Sequence, residues 1–176
     1  MTTQYIPAKE AAQLIRKQLK AKFPGVKFSV KTDTTRSINI RYENGPTKSD
    51  VESVVDGFEG EGFDGMIDMG YYKDSWLMPD GSAEFAASSG TEGSMGSVPA
   101  RKCEAPTPDA TLVHFGTRFI FVERHISQEI REAEKAAVAK LYGVDKDEAK
   151  MQDYQRKFGY YWIETQVNQN LAARGL

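Results

Sequence analysis

The chain holds one cysteine, Cys103, and two histidines, His114 and His125, in 176 residues. A lone thiol excludes an internal disulfide and a multi-cysteine zinc site, and it suits a reducing compartment. No apolar run approaches the roughly 18 residues that a membrane-spanning helix needs, and the opening MTTQYIPAKE has no signal-peptide core. A cytosolic protein is expected. Paired metal ligands are missing too, with no CxxC and no HxxxH. Cys103, His114 and His125 are evenly spaced, but on one regular strand from Leu112 to Arg124 the two histidines would point to opposite faces. They read as ordinary strand residues, and neither metal nor cofactor is expected.

Catalytic signatures are equally scarce. No G-x-S-x-G stands in the chain to anchor a serine triad. Gly60, Gly62 and Gly65 formally match G-x-G-x-x-G, yet that motif must follow a strand and open a helix whose amides meet a pyrophosphate. Here it follows a helical pattern and is surrounded by Glu59, Glu61, Asp64 and Asp68, which would repel an anion. No residue is assigned a catalytic role.

What the chain does have is a division of charge. From Lys9 to Lys48 there are ten Lys/Arg against three Asp/Glu, and from Asp50 to Glu92 eleven Asp/Glu against one lysine, in a molecule of net charge −2. The overall balance hides two opposite regions.

Ala8, Ala11, Ala12, Ile15, Leu19 and Phe23 keep the spacing of a buried helical stripe, stopped by Pro24-Gly25. Another side of that helix carries Lys9, Gln13, Arg16, Lys17 and Lys20 as a basic ridge. Val26, Phe28 and Val30, then Ile38, Ile40 and Tyr42, alternate as two strands of a hairpin with Lys27, Lys31 and Arg41 on the other parity. Ridge and sheet face are expected to form one positive region. Thr47 reads as the N-cap of a second helix through Val51, Val54, Val55 and Phe58, with Glu52, Asp56 and Glu59 outward and the acidic surface continuing through Asp64 and Asp68.

Residues 79–108 are rich in Gly, Ser, Ala, Thr and Pro and read as a long mobile loop inserted in the domain. LVHFGTRFIFVE, 112–123, reads as a strand that returns to the first sheet. Ser127 caps a third helix with Ile130, Ala133, Ala137 and Leu141 inward and Gly143 as its stop. A further helix is expected near 146–158, and a last one through Tyr160, Ile163, Val167 and Leu171. The architecture expected is α+β, a small mainly antiparallel sheet with helices packed on one face, over 1–143, followed by a helical extension over 144–176.

Three surfaces are candidates for binding. Arg16, Lys20, Lys27, Lys31, Arg36, Arg41 and Tyr42 could contact nucleic acid or a partner, cations on phosphates and the ring on a base. Glu52, Asp56, Glu59, Asp64 and Asp68 make an acidic surface. Tyr71, Tyr72, Trp76, Tyr161 and Trp162 are aromatic anchors for a protein interface.

The run FPGVKFSV, Phe23 to Val30, Gly45-Pro46-Thr47, and the series Phe58, Gly60, Phe63, Asp64, Gly65, Met66 and Asp68 resemble the large polyvalent protein-associated domain family, the twenty-ninth of its series. FIFVERHIS, Phe119 to Ser127, looks like the family's closing segment, so the resemblance spans Ala8 to Ala139. It implies an accessory domain of bacteriophages, plasmids and other mobile elements, with no established catalytic residues to carry over. This chain is expected to depart from it by standing alone with a helical extension. The expectation is a non-enzymatic protein in the bacterial cytoplasm that binds a host protein or protein–nucleic-acid complex, with counter-defence a natural setting. Direct DNA or RNA binding by the basic helix and hairpin is the alternative, and a metal-dependent hydrolase using Asp64 and Asp68 the distant one. Membrane partners are not expected, and no oligomeric state is assigned.

Overall fold

In the computed structural model the apolar stripe that begins at Ala8 forms a helix, α1 (Ala8–Lys22), which buries Ala8, Ala11, Ala12, Ile15 and Leu19. The carbonyl of Pro7 receives the amides of Glu10 and Ala11 at its start, and Lys20 and Lys22 in its last turn complement the helix dipole. The structure describes residues 3–91, 97–141, 143 and 162–176.

The two alternating segments pair as β2 (Ser29–Thr32) and β3 (Ile38–Glu43), antiparallel, with Val30 opposite Ile40. The loop between them is tied by the Asp33 carboxylate, which accepts from the Thr35 and Ser37 amides at 2.9 Å. A third strand, β9 (Ile120–His125), completes a sheet of order β2-β3-β9. The Ile38 amide donates to Phe119 O and the Asn44 amide to His125 O, so β9 runs parallel to β3 with Arg41 beside Glu123. After the turn come α2 (Lys48–Val55) and a single 3-10 turn over Asp56–Phe58.

Where a mobile loop and one returning strand were expected, the chain builds a six-stranded sheet. Its spine is β5 (Met69–Leu77), paired with β4 (Glu61–Asp64) along its first part, with β8 (Thr111–Phe115) at Ser75–Leu77, and with β6 (Ala83–Ser88). β1 (Gln4–Ile6) adds to β8 in parallel, and β7 (Arg101–Lys102) closes the order β1-β8-β5-β6-β7. Two of these strands, β6 and β7, lie inside the 79–108 segment. LVHFGTRFIFVE is therefore two strands in two different sheets. The break falls at 116–119, where the Gly116 amide binds Ile6 O and the Arg118 amide binds Arg36 O.

One core joins α1, the small sheet, α2 and β8: Ile15, Leu19, Ile38, Ile40, Phe58 and Phe115 are each at most 1% exposed. This is an α+β fold. By compactness the chain divides into two units, one of residues 1–42 and 49–123 and one of residues 43–48 and 124–176.

In the second unit α3 (Gln128–Leu141) and α4 (Trp162–Ala173) share a small core of Val138, Ile163, Val167 and Leu171. The inward face of α3 is not the alanine stripe. Glu134, Val138 and Ala139 are buried, Ala133 and Ala137 are exposed, and Leu141 is 75% exposed. A carboxylate can hold the inward position because the Asn170 amide and the Arg174 guanidinium donate to its two oxygens. The Arg124 guanidinium donates to four carbonyls, those of Asn44, Gly45, Leu171 and Arg174, and so ties the 44–45 turn to the end of α4. The helix expected near 146–158 lies outside the described residues.

Candidate interaction surfaces

β4 and β5 form a hairpin whose register puts Glu61 opposite Tyr72 and Phe63 opposite Gly70. On that face Phe63 and Tyr72 are 54% and 66% exposed, and at the tip Met66 and Met69 are 79% and 50% exposed. Four large apolar side chains thus stand in solvent on one rigid ribbon. The ribbon is pinned from behind. Asp64 is 3% exposed, and its carboxylate accepts from Thr91 Oγ1 at 2.6 Å, the Met66 amide at 3.0 Å and the Val98 amide at 3.1 Å. Those hydrogen bonds, the Thr91 hydroxyl foremost, hold its pKa below the ordinary carboxylate range. Asp64 is accordingly an anchor rather than part of an acidic surface, since three donors outweigh its loss of hydration.

The aromatic face continues onto β8 and β1. Tyr5 lies beside His114 in register, their rings stacked at 6.1 Å, and Tyr72 meets the same imidazole edge-on at 5.9 Å. His114 Nδ1 faces two acceptors, Asp74 Oδ1 at 3.0 Å and Lys73 O at 3.1 Å. It therefore carries the hydrogen, which fixes the tautomer. Gly60 makes this close stacking of strands possible, since a Cβ there would stand 1.8 Å from Phe115 O.

The basic residues fall on two sides. α1 covers the apolar face of β2 and β3, so its outward ridge with Lys20 and the outward sheet face with Lys27, Lys31 and Arg41 point away from one another. They do not merge into one positive region, because the core lies between them. Arg16 bridges the edge, donating to Val30 O at 2.6 Å. Tyr42 is 4% exposed with its ring 5.0 Å from that of Phe28, so it belongs to the core and offers no stacking surface. The ring on the outer face is instead Phe121, 55% exposed.

The acidic half is partly neutralised by folding. Glu61 takes both Arg36, at 3.0 Å, and Arg118, at 3.1 Å, and Glu59 takes Lys73 at 3.1 Å. What stays acidic gathers near an open cleft of about 260 Å³ lined by Asp56, Lys73, Ser75, Glu84 and Phe85. The Asp56 carboxyl is pushed upward by burial first, then by Glu59 and Glu52. Asp68 is exposed at the hairpin tip in a left-handed conformation, φ 54°. Among the described residues no group of three or more His, Cys, Asp or Glu is placed to hold a metal ion.

Of the aromatic candidates, Tyr72 is exposed, Tyr71 is half-buried, and Trp76 is buried at 6% with Nε1 donating to Cys103 O. Tyr161 and the side chain of Trp162 lie outside the described residues. Phe63, Met66, Met69, Tyr5, Arg118 and Phe121 are exposed outside the binding candidates expected from sequence. One signal was available: in F-I-F-V, Ile120 and Val122 share a parity, so Phe119 and Phe121 must share the opposite one.

Residues 6–127 match the family described as large polyvalent protein associated domain 29. The chain belongs to this family. The matched stretch of large polyvalent protein associated domain 29 runs from the end of β1 to the residue before α3, and it takes in both sheets, α1 and α2. No curated protein and no solved structure matches the chain. Among the described residues no helix is long and apolar enough to cross a membrane.

Proposed function

We propose that the protein is a non-enzymatic accessory factor of a phage or other mobile element that acts in the bacterial cytoplasm by docking on a host protein or protein–nucleic-acid complex. The observation that carries this reading is the exposed apolar face of the β4–β5 hairpin. Phe63 and Tyr72, each more than half exposed, share one face of a ribbon held from its other side by a buried carboxylate, and Met66 and Met69, each at least half exposed, stand at its tip. Aromatic and methionine side chains are the types enriched where proteins meet, and leaving them in water is unfavourable unless a partner covers them. Family membership supports the mobile-element setting, in which blocking a host defence assembly is the use such a surface would serve.

The test compares capture from bacterial extract by the native chain and by Phe63→Asp/Tyr72→Asp. A stoichiometric host complex held by the first and released by the second is the expected result. If the double variant keeps its fold and its captured set is unchanged, the hairpin is not the docking surface.

A further inference from the structure

We propose that the outer face of the three-stranded sheet binds single-stranded nucleic acid, with Phe121 as the platform on which a base stacks. This inference uses residues other than the hairpin and does not depend on the docking reading above. It starts from an anomaly of burial. In β9, Ile120 and Val122 pack in the core, whereas Phe121 is 55% exposed and lies outside that core.

The strand register gives the ring its neighbours. Lys31 is opposite Asn39, and the β3–β9 pairing places Phe121 beside Asn39, so cation, amide and ring stand in one row across the sheet. The next row is Ser29, Arg41 and Glu123. With strands about 5 Å apart, a row spans about 10 Å, which suits one nucleotide with its phosphate. Phe119 lies 6.4 Å from Phe121, and the Arg118 guanidinium sits 5.6 Å above the Phe119 ring. That cation covers one face of the Phe119 ring, so the more exposed Phe121 is the platform for a base.

Charge favours the same occupant. Lys27, Lys31 and Arg41 are exposed around this face, whereas the Arg36 guanidinium is held by Glu61. Arg41 is paired with Glu123 at 2.7 Å, with side chains 63% and 51% exposed, and such pairs are weak enough for a phosphate to replace the carboxylate. A protein hot spot wants its aromatic anchor inside an apolar, water-excluding surround. Phe121 has the contrary setting, with Phe119 as its ring neighbour and Lys31, Asn39, Arg41 and Glu123 in its own row and the next, which is how single strands are held by stacking and backbone contacts. A ring on the sheet face stacks on the face of a base, which a duplex keeps inside its own stack, so unpaired strands are the form selected.

Fluorescence anisotropy of the full chain with labelled mixed-sequence single-stranded RNA and DNA of about 12 nucleotides tests this, with the duplex of the same sequence as comparison. Binding should fall with salt with a log–log slope of about −2, as expected for roughly three phosphate contacts. Phe121→Ala should weaken binding about tenfold or more while melting like the native chain, and Arg41→Glu should both weaken it and flatten the salt slope. Phe63→Ser, on the hairpin, should leave it unchanged. The proposal is overturned by no binding at roughly 50 mM salt, by native affinity in Phe121→Ala, or by tighter duplex binding. It is equally overturned if Phe121→Ala abolishes capture of a host protein while no oligonucleotide binds, since the face would then be a protein interface.

Discussion

Thr117 is fully buried and its hydroxyl finds no hydrogen-bond partner among the described residues. A buried hydroxyl without a partner costs about 1–3 kcal/mol, so Thr117→Val, nearly the same shape, should raise stability by about 1 kcal/mol in urea denaturation. Asp64 is the opposite case, a buried carboxylate with three donors. Because its folded pKa is lowered, the stability it contributes is complete above the ordinary value of 3.8 and is lost as pH falls through the lowered one. Asp64→Asn should therefore melt earlier at neutral pH and show a flatter acid limb below about pH 4; an unchanged acid limb would exclude Asp64 as its source. Neither role can be read from letters alone. Asp64 sits in an acidic run that looks like solvent-facing surface, and only the approach of Thr91 and Val98 reveals its task.

Among elements, periodicity located α1, the β2–β3 hairpin and α2, because each pairs a strong apolar repeat with a terminator such as Pro24-Gly25 or Pro46-Thr47. It failed for β6 and β7. Ala-Glu-Phe-Ala-Ala-Ser and Arg-Lys carry little apolar alternation, and they become strands through backbone pairing with neighbours distant in sequence. α3 misled in another way, since its alanines suggested a core face while Glu134 occupies it. Glu134→Ala should destabilise the second unit by about 1–3 kcal/mol, and Glu134→Leu by less, since leucine restores apolar contact in place of the lost pair. Hydrogen exchange of α3 amides reads this directly. Equal losses for the two substitutions would show that apolar packing gives no compensation there. For the candidate surfaces, the basic sheet face was legible from parity, whereas of the exposed hairpin only Tyr72 was, because Phe63, Met66 and Met69 lie in a glycine-rich acidic run with no apolar alternation to place them.

For the whole molecule, folding cancels much of the charge division that the sequence displays. Glu61 and Glu59 draw in Arg36, Arg118 and Lys73, so among the described residues the acidic stretch is interleaved with cations. The division into units also disregards chain order, since residues 43–48 group with 124–176. Ending the chain after Gly143 should expose Ile126, Ile130 and Val138 and deprive Arg124 of two of its four carbonyls. Dye binding to apolar surface should rise and α3 amides should exchange quickly, while the amides of α1 and β3 keep their protection. Slow exchange throughout α3 in the shortened chain would contradict this.

Arg124 and the turn at Asn44-Gly45 lie within the stretch matched to the family, whereas the α4 carbonyls that Arg124 holds lie beyond it. The domain thus ends in a socket, and the sequence downstream supplies the plug. Grafting this domain onto another protein would succeed only if the new neighbour brought its own helix end to that guanidinium, so the junction is a constraint on recombination rather than a neutral seam.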